Sequence, residues 1–262
     1  MVVGTIGKMH LVESRYPLSK LGDTMAVFKP DLVLLAVRVD PYREGHLEDA
    51  SFEMTYVEHL AKKRGVPVEP IDWFREQDLD APLPALDPYD VTEIERREAE
   101  VLSLPKLYTF EQANGAELAE KVFLADRAQA RHRGGSPIVA RRHAWMQHLA
   151  ASAVSRHGKP KRVLAFVDVI DRATIDLALR AVGYDARNPV ELVAQAKEVA
   201  IGDMPSDVID AWKKQRDRLH ERSAKATGAE KSFFADHERV LDVAIEKKAA
   251  CCVTQSALAP PK

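Results

Sequence analysis

Runs of consecutive apolar residues mark strand-like segments at intervals along the first two thirds of the chain. The clearest run spans residues 32–39, where apolar residues are nearly continuous, as in a strand that helices cover on both faces. Shorter runs at 2–6 and 162–167 have the same character, and a run at 66–73 contains two prolines, which favours a short or edge strand. The pattern therefore predicts four strands.

Apolar residues at helical spacing lie between these strands, over about 18–28 and 52–64, and Gly65 stands where a helix C-terminus is typically capped. The chain thus repeats a strand–helix–strand unit. Right-handed connections make such strands parallel, and parallel strands bring the loops that follow them to one carboxyl edge of the sheet. We predict an α/β fold in which a parallel sheet is flanked by helices.

The rest of the chain is predicted to be helical. Two long helical patterns, at 106–131 and 138–157, form most of an insertion over about residues 90–157. Beyond residue 189 no strand pattern remains, and the helical segments there have charged outer faces. We therefore predict an α/β domain over 1–186 that contains the insertion, followed by a helical C-terminal extension over 187–262 that packs on it.

Charge and composition exclude several classes of protein. Lys plus Arg number 38 and Asp plus Glu number 40, which gives a net charge of −2 and no general attraction to nucleic acid or to an anionic membrane. No apolar run approaches the ~20 residues that span a bilayer, and the two cysteines are adjacent, so no disulfide framework is expected. We expect a cytoplasmic protein that acts on a small molecule or a peptide, with neither nucleic acid nor membrane as its partner.

Candidate chemical groups follow three successive predicted strands. His10 lies in the loop after the first strand, Glu53 begins the helix after the second, and Asp72 ends the third. Groups in such positions converge at the carboxyl edge of the sheet in α/β enzymes. Each residue also has a plain structural interpretation: a loop histidine, a first-turn carboxylate that the helix dipole favours, and a turn residue.

The later part of the predicted α/β domain adds three more polar groups. Asp168 ends the fourth strand, and Asp171 stands at the N-cap of the next helix, where a capping role is the simpler interpretation. Arg142 lies early in a helix, where a positive charge opposes the helix dipole. This placement indicates a partner acid or an anionic group of a substrate, and an exposed salt bridge is the alternative.

The order of these segments resembles that of the TraB/TIKI-like family over roughly residues 2–186. The resemblance rests on short motifs: Gly4-Thr5-Ile6 followed by His10, Pro30-Asp31-Leu32-Val33-Leu34-Leu35, Phe52-Glu53-Met54 with Tyr56, Gly65-Val66-Pro67-Val68 before Ile71-Asp72-Trp73, Arg141-Arg142 with Met146, and Arg162-Val163-Leu164 before Gly183-Tyr184. It implies a fold similar to that of the erythromycin-esterase-like proteins, a parallel sheet flanked by helices. Some members of the family are metal-dependent proteases.

The chain departs from the family pattern at three places. The histidine after the first strand comes late, as His10; Ala36 stands where the family has a glutamate; and Asp168 and Asp171 stand where it has a late glycine and histidine. Ala36 cannot bind a metal or move a proton, so either Glu53 takes that role or the role is absent. An aspartate in place of a histidine shifts the preferred metal from zinc toward manganese or magnesium.

The resemblance and the placement of polar groups together predict a metal-assisted hydrolase of a peptide, amide or ester. His10 and Asp171 would hold a divalent ion (zinc, manganese or magnesium), and Glu53 or Asp72 would orient or deprotonate the attacking water. Arg142 would fix a substrate carboxylate or stabilise developing negative charge. The alternative, motivated by Ala36 and the missing late histidine, is a non-catalytic ligand-binding or regulatory protein that keeps the cleft.

Overall fold

The computed structural model describes residues 1–47, 50–74, 88–102, 108–131, 137–194 and 204–248. Its strands are β1 Val2–Thr5, β2 Leu32–Arg38, β3 Val68–Asp72 and β4 Val163–Asp168. Its α-helices are α1 Ser19–Phe28, α2 Val39–Arg43, α3 Phe52–Lys63, α4 Pro88–Leu102, α5 Phe110–Asn114, α6 Ala116–Arg131, α7 Pro137–Arg156, α8 Arg172–Ala181, α9 Pro189–Val193, α10 Ser206–Lys225 and α11 Gly228–Glu246. A 3₁₀ helix spans Gly7–Leu11.

The described strands form one parallel sheet in the order β1-β4-β2-β3. The predicted α/β fold with a parallel sheet and flanking helices is therefore confirmed. Among the described strands, the proline-containing β3 pairs with β2 alone and has five residues, which agrees with the prediction of a short or edge strand. Because the strands run in one direction, Thr5 and Asp168 lie side by side at the carboxyl edge.

Both faces of the sheet are covered by apolar layers, which explains why β2 reads as a continuous apolar run. Leu32 and Leu34 pack with side chains of α7 and α8, and Val33 and Leu35 pack on the opposite face with side chains of α1 and α3. All four of these leucine and valine side chains are fully buried.

The helical pattern predicted at 106–131 is divided in the structure. Thr109 starts α5 with a capping box, in which its side chain accepts from the Gln112 N–H and Gln112 binds back to the Thr109 N–H. Gly115 then takes an extended conformation, which ends α5 before α6 begins. The Gly115 carbonyl accepts a hydrogen bond from Arg172 at 2.9 Å. Glycine and a side-chain partner for its carbonyl together allow the break.

The C-terminal helices pack on α3 and fix the chain that leads into it. Trp212 donates from its indole nitrogen to the Phe52 carbonyl at 2.9 Å. Gln215 donates to the carbonyls of Leu47 and Ala50 and accepts from the Thr55 hydroxyl. Through these bonds, α10 sets where the first turn of α3 lies.

No helix in the described part of the chain is long and apolar enough to cross a membrane. The two adjacent cysteines, at 251 and 252, lie outside the described residues.

Replacing Gln215 with alanine is expected to lower the free energy of unfolding by about 1–3 kcal/mol, because two buried carbonyls and the Thr55 hydroxyl lose their partner. Chemical denaturation of the two proteins measures this difference. The matched control is Lys214→Ala, which changes the exposed neighbour on the same helix and should stay within about 0.5 kcal/mol of the parent. An equal effect of the two variants would contradict the assigned role of Gln215.

Candidate active site

Two carboxyl groups meet at the carboxyl edge of the sheet, where β1 and β4 end. Asp168 is the last residue of β4 and pairs in register with Thr5, the last residue of β1. Glu53 arrives from the first turn of α3, and its Oε1 accepts a hydrogen bond from the Thr5 hydroxyl at 3.0 Å. Thr5 therefore joins the end of the sheet to the start of α3.

A cleft of about 320 Å³ opens beside Asp168, between the 3₁₀ helix, the start of α3 and α11. Its walls are mostly apolar and are formed by Ile6, Met9, Ala50, Phe52, Val240 and Leu241. Its polar lining includes Ser51, Asp168, His237 and the pair Lys8 and Asp236, whose charged atoms lie 3.2 Å apart. The cleft thus holds one carboxylate, Asp168, that has no cation at salt-bridge distance among the described residues.

Glu53 lies behind the wall of this cleft and is 1% exposed. Its Oε2 is buried and has no hydrogen-bond partner among the described residues. Burial raises the pKa of Glu53, and the neighbouring Thr5 and Ser51 hydroxyls and backbone N–H groups only partly oppose this. Glu53 is therefore a buried carboxyl group whose pKa lies above that of an exposed glutamate.

Asp168 is partly exposed to the cleft and accepts a hydrogen bond from the Ile170 N–H at 3.0 Å. Burial first, and then the charges of Asp171 and Glu53, raise the pKa of Asp168 to about 7. The Ile170 N–H and the Arg142 charge act in the opposite direction. The Asp168 carboxyl group consequently changes its protonation state near neutral pH, as a general acid or base must.

Next to Asp168 lies a set of paired charges that we call the Arg142 cluster: Asp72, Arg142, His143 and Asp171. Arg142 binds Asp72 through Nε and Nη2, at 2.8 and 2.9 Å, and binds Asp171 through Nη1 and Nη2, both at 2.8 Å. His143 Nε2 lies 3.1 Å from Asp171 Oδ1. The cluster ties α7 to the end of β3 and to the turn between β4 and α8.

These contacts set the charge of the Arg142 cluster. Burial raises the pKa of Asp171, but the hydrogen bond with His143 and the charge of Arg142 outweigh it, and the pKa stays below its usual value. The two carboxylates likewise hold the pKa of Arg142 above its usual value in spite of burial. The charge placed early in α7 thus has partner acids, which is one of the two interpretations the sequence left open. The Asp171 side chain makes no capping bond to α8.

His10 is fully buried, and both of its ring nitrogens are hydrogen-bonded within the protein. Nδ1 lies 2.8 Å from the Tyr16 carbonyl, and Nε2 accepts from the Ile6 N–H at 3.3 Å. Burial lowers the pKa of His10 to about 4, against the opposing effect of the Tyr16 carbonyl. His10 is therefore neutral at physiological pH and fixes the loop after β1.

The residues predicted to hold a metal do not fit one in this conformation. The ring nitrogens of His10 bind backbone groups, and the carboxylate of Asp171 is held by Arg142 and His143. Among the residues that the structure describes, no group of three or more His, Cys, Asp or Glu side chains is placed to hold a metal ion. A metal at His10 and Asp171 stays a prediction that these contacts do not support.

The structure thus divides the five predicted site residues into three environments. Asp72, Arg142 and Asp171 form one ion-paired cluster. Glu53 lies behind the cleft wall and binds Thr5. His10 stabilises the loop after β1. The sequence points to Asp171 as the functional acid after β4, whereas Asp168, three residues earlier, lines the cleft. The sequence feature that could have identified Asp168 as a site residue was its position at the end of a buried strand.

Arg142→Met is expected to lower the free energy of unfolding by about 3–5 kcal/mol, because it leaves the carboxylates of Asp72 and Asp171 buried without a cation. Denaturant titration of the purified variants measures this. Arg142→Lys should recover only part of the loss, since one ammonium group cannot bind two carboxylates bidentately. Arg141→Met, which changes the exposed residue beside it, is the control, and a loss as large as that of Arg142→Met would refute the special role of Arg142.

The raised pKa of Asp168 predicts how its removal changes stability with pH. Between about pH 4 and pH 7 the unfolded chain loses the Asp168 proton while the folded protein keeps it, so this group makes stability fall as pH rises. Asp168→Asn keeps a hydrogen-bond acceptor for Ile170 and removes this fall. We expect the variant to match the parent near pH 4 and to be more stable at pH 8 by about 1–3 kcal/mol.

Denaturation midpoints across that pH range, compared with those of the exposed control Asp210→Asn, measure the effect. A stability difference between Asp168→Asn and the parent that does not change with pH would contradict the assigned environment of Asp168.

Comparison of the chain with protein-family models, with curated proteins and with solved structures found no match.

Proposed function

We propose that the cleft at the carboxyl edge is an active site that hydrolyses an ester, amide or peptide bond, with Asp168 as the group that accepts and returns the proton. The observation that carries this proposal is the placement of Asp168 in the cleft with the buried carboxyl group of Glu53 close by. Both lie where parallel α/β sheets bring catalytic groups together. The pKa of Asp168, about 7, supports a role in proton transfer near neutral pH.

The reaction that this site supports is general-base hydrolysis. The Asp168 carboxylate accepts a proton from water while the water oxygen forms a bond to the carbonyl carbon of the substrate. The C–O or C–N bond then breaks, and Asp168 gives the proton to the leaving oxygen or nitrogen. The products are a carboxylic acid and an alcohol or amine, and Asp168 ends in its starting form.

Glu53 has a positioning role in this proposal. Its carboxyl group is held by the Thr5 hydroxyl, and its charge raises the pKa of Asp168. Glu53 thereby keeps the pKa of Asp168 near the pH at which the base operates.

The cleft favours a small and largely apolar substrate. Its volume of about 320 Å³ lies at the lower end of the range of about 300–1,000 Å³ that is typical of ligand pockets. Its side walls are aliphatic and aromatic, and the Lys8 ammonium group in its lining already pairs with Asp236. We therefore propose an ester or amide with an apolar acyl group, rather than a charged substrate.

The divalent ion that the sequence predicts has no part in this reaction, because His10 and Asp171 are held by protein groups. Arg142 likewise takes no part in binding substrate, since it binds Asp72 and Asp171. Its proposed contribution is to hold the turn that carries Asp168.

A non-catalytic ligand-binding protein is the second candidate function, and Ala36 favours it. This residue lies in β2 at the position where the TraB/TIKI-like pattern has glutamate, and it is partly buried among apolar residues. A protein of this kind would bind an apolar ligand in the same cleft without converting it.

Asp168→Asn is expected to lower kcat by about 100- to 10,000-fold on nitrophenyl esters or anilides with short apolar acyl groups, because it removes the proton acceptor. The parent rate should rise with pH around a pKa of about 7. Glu53→Gln should shift that pH profile toward lower pH with a smaller loss of rate. Asp210→Asn, which changes an exposed aspartate outside the cleft lining, should change kcat by less than about 3-fold.

Two results would contradict the proposed hydrolase function. If the parent hydrolyses none of these substrates while calorimetry detects an apolar ester bound in the cleft, the chain is the binding protein of the second candidate. If Asp168→Asn retains the parent rate, Asp168 is not the base. Assays with added zinc, manganese or magnesium test the metal separately, and we expect the same rates as with a chelator present.

A further inference from the structure

A second and larger cavity, of about 570 Å³, lies at the opposite, amino edge of the sheet. Its walls come from the end of α1, from the loop between α7 and β4, and from the loop between α8 and α9. It lies at the start of β4, whereas Asp168 lies at the end of that strand. This cavity shares no lining residue with the cleft at the carboxyl edge.

Positive charge is concentrated around this cavity. Four basic side chains line it, from Lys159, Lys161, Arg162 and Arg187, against the single acidic side chain of Asp185. Arg162 pairs with Asp31 at 2.7 Å. The other three have no carboxylate at salt-bridge distance in the described part of the chain. Since the whole chain has a net charge of −2, this local excess of cations is not a reflection of its overall charge.

The two loops that carry these cations are joined and held in defined conformations. The Tyr184 hydroxyl donates to the Pro160 carbonyl at 2.6 Å, which links one loop to the other. Lys159 has a left-handed backbone conformation, with φ of 56°, and its N–H donates to the Val154 carbonyl at 3.0 Å.

The cavity also offers an apolar surface next to the cations. Phe28, Tyr184 and Leu192 line it, and its volume lies within the range that is typical of small-molecule sites. Three unpaired cations suit a group with more than one negative charge, and a phosphate provides this together with several acceptor oxygens. The aromatic and aliphatic side chains suit an attached organic group.

We infer that the amino-edge cavity binds a small organic phosphate, with Lys159, Lys161 and Arg187 contacting the phosphate and Phe28 and Tyr184 contacting the organic part. The hydrogen bond between the two loops holds their backbones next to each other before the ligand arrives, which reduces the cost of ordering the loops.

The experiment is an NMR titration of the full chain with AMP, with inorganic pyrophosphate, and with sulfate at the same ionic strength. We expect saturable binding of AMP with a Kd below about 1 mM. The amide shifts should fall in the segments 158–163 and 183–187, and not around Gly7 or Asp168. Sulfate, which lacks the organic part, should bind more weakly than AMP.

The double variant Lys159→Gln/Lys161→Gln should weaken AMP binding by about 10-fold or more, because two charge-assisted contacts are lost. Its matched control is Lys213→Gln/Lys214→Gln, which makes the same change of charge on α10, away from the cavity. Thermal unfolding of both variants checks that they remain folded. Equal weakening in the two double variants would show non-specific attraction and would overturn the inference.

Failure of AMP to saturate, or shifts confined to the carboxyl-edge cleft, would overturn the inference as well. Binding of pyrophosphate but not AMP would refute the inference that the ligand is an organic phosphate. Hydrolysis of esters at the other edge has no bearing on any of these results, so failure of one proposal is distinguishable from failure of the other.

Discussion

The double bidentate contact of Arg142 with Asp72 and Asp171 is the interaction on which the carboxyl edge depends. Four carboxyl groups lie at or near this edge, and one guanidinium group binds two of them. Asp168 and Glu53 remain without a cation at salt-bridge distance in the described structure, and burial raises the pKa of both. The Asp171 N–H also donates to the Asp168 carbonyl at 2.9 Å, so the residue that Arg142 holds fixes the turn that carries Asp168. The same contact thus helps to fix the position of Asp168 and holds the pKa of Asp171 below its usual value.

The C-terminal helices complete the cleft, although they lie beyond the predicted α/β domain. Trp212 and Gln215 on α10 fix the chain that delivers Glu53, while Val240 and Leu241 on α11 form part of the cleft wall. A chain ending near residue 186 would therefore have the sheet and Asp168 but an open edge in place of a cleft. The predicted domain and extension are separate along the chain, but the carboxyl-edge cleft is built from residues of both.

The fold was predictable because its central strand has a recognisable sequence pattern. Strand β2 is buried on both faces and is therefore apolar at nearly every position. The pairing of β1 with β4 has no such sequence pattern, because strand order is set by packing between distant segments. The proximity of Thr5, Glu53 and Asp168 therefore could not be predicted from the spacing of residues along the chain. The helix dipole argument indicated that Arg142 has an acidic partner but could not identify Asp72 and Asp171. The hydrogen bonds of His10 could not be predicted, because its partners are backbone groups of Ile6 and Tyr16, which no pattern of side chains reveals.

The two proposed sites lie at opposite ends of β4, and this separation decides how far they influence each other. A six-residue strand is about 20 Å long, and over that distance two unit charges interact by only about 0.8 kcal/mol at an effective dielectric constant of about 20. An anion at Lys159 and Lys161 therefore has little direct electrostatic effect on the proton of Asp168. The sheet between them is fully buried at Leu164, Ala165 and Phe166 and closely packed on both faces, so it gives no polar path between the edges. Any coupling would have to come from a shift of β4 itself, and the Arg142 contacts at one end and the Arg162–Asp31 pair at the other oppose such a shift.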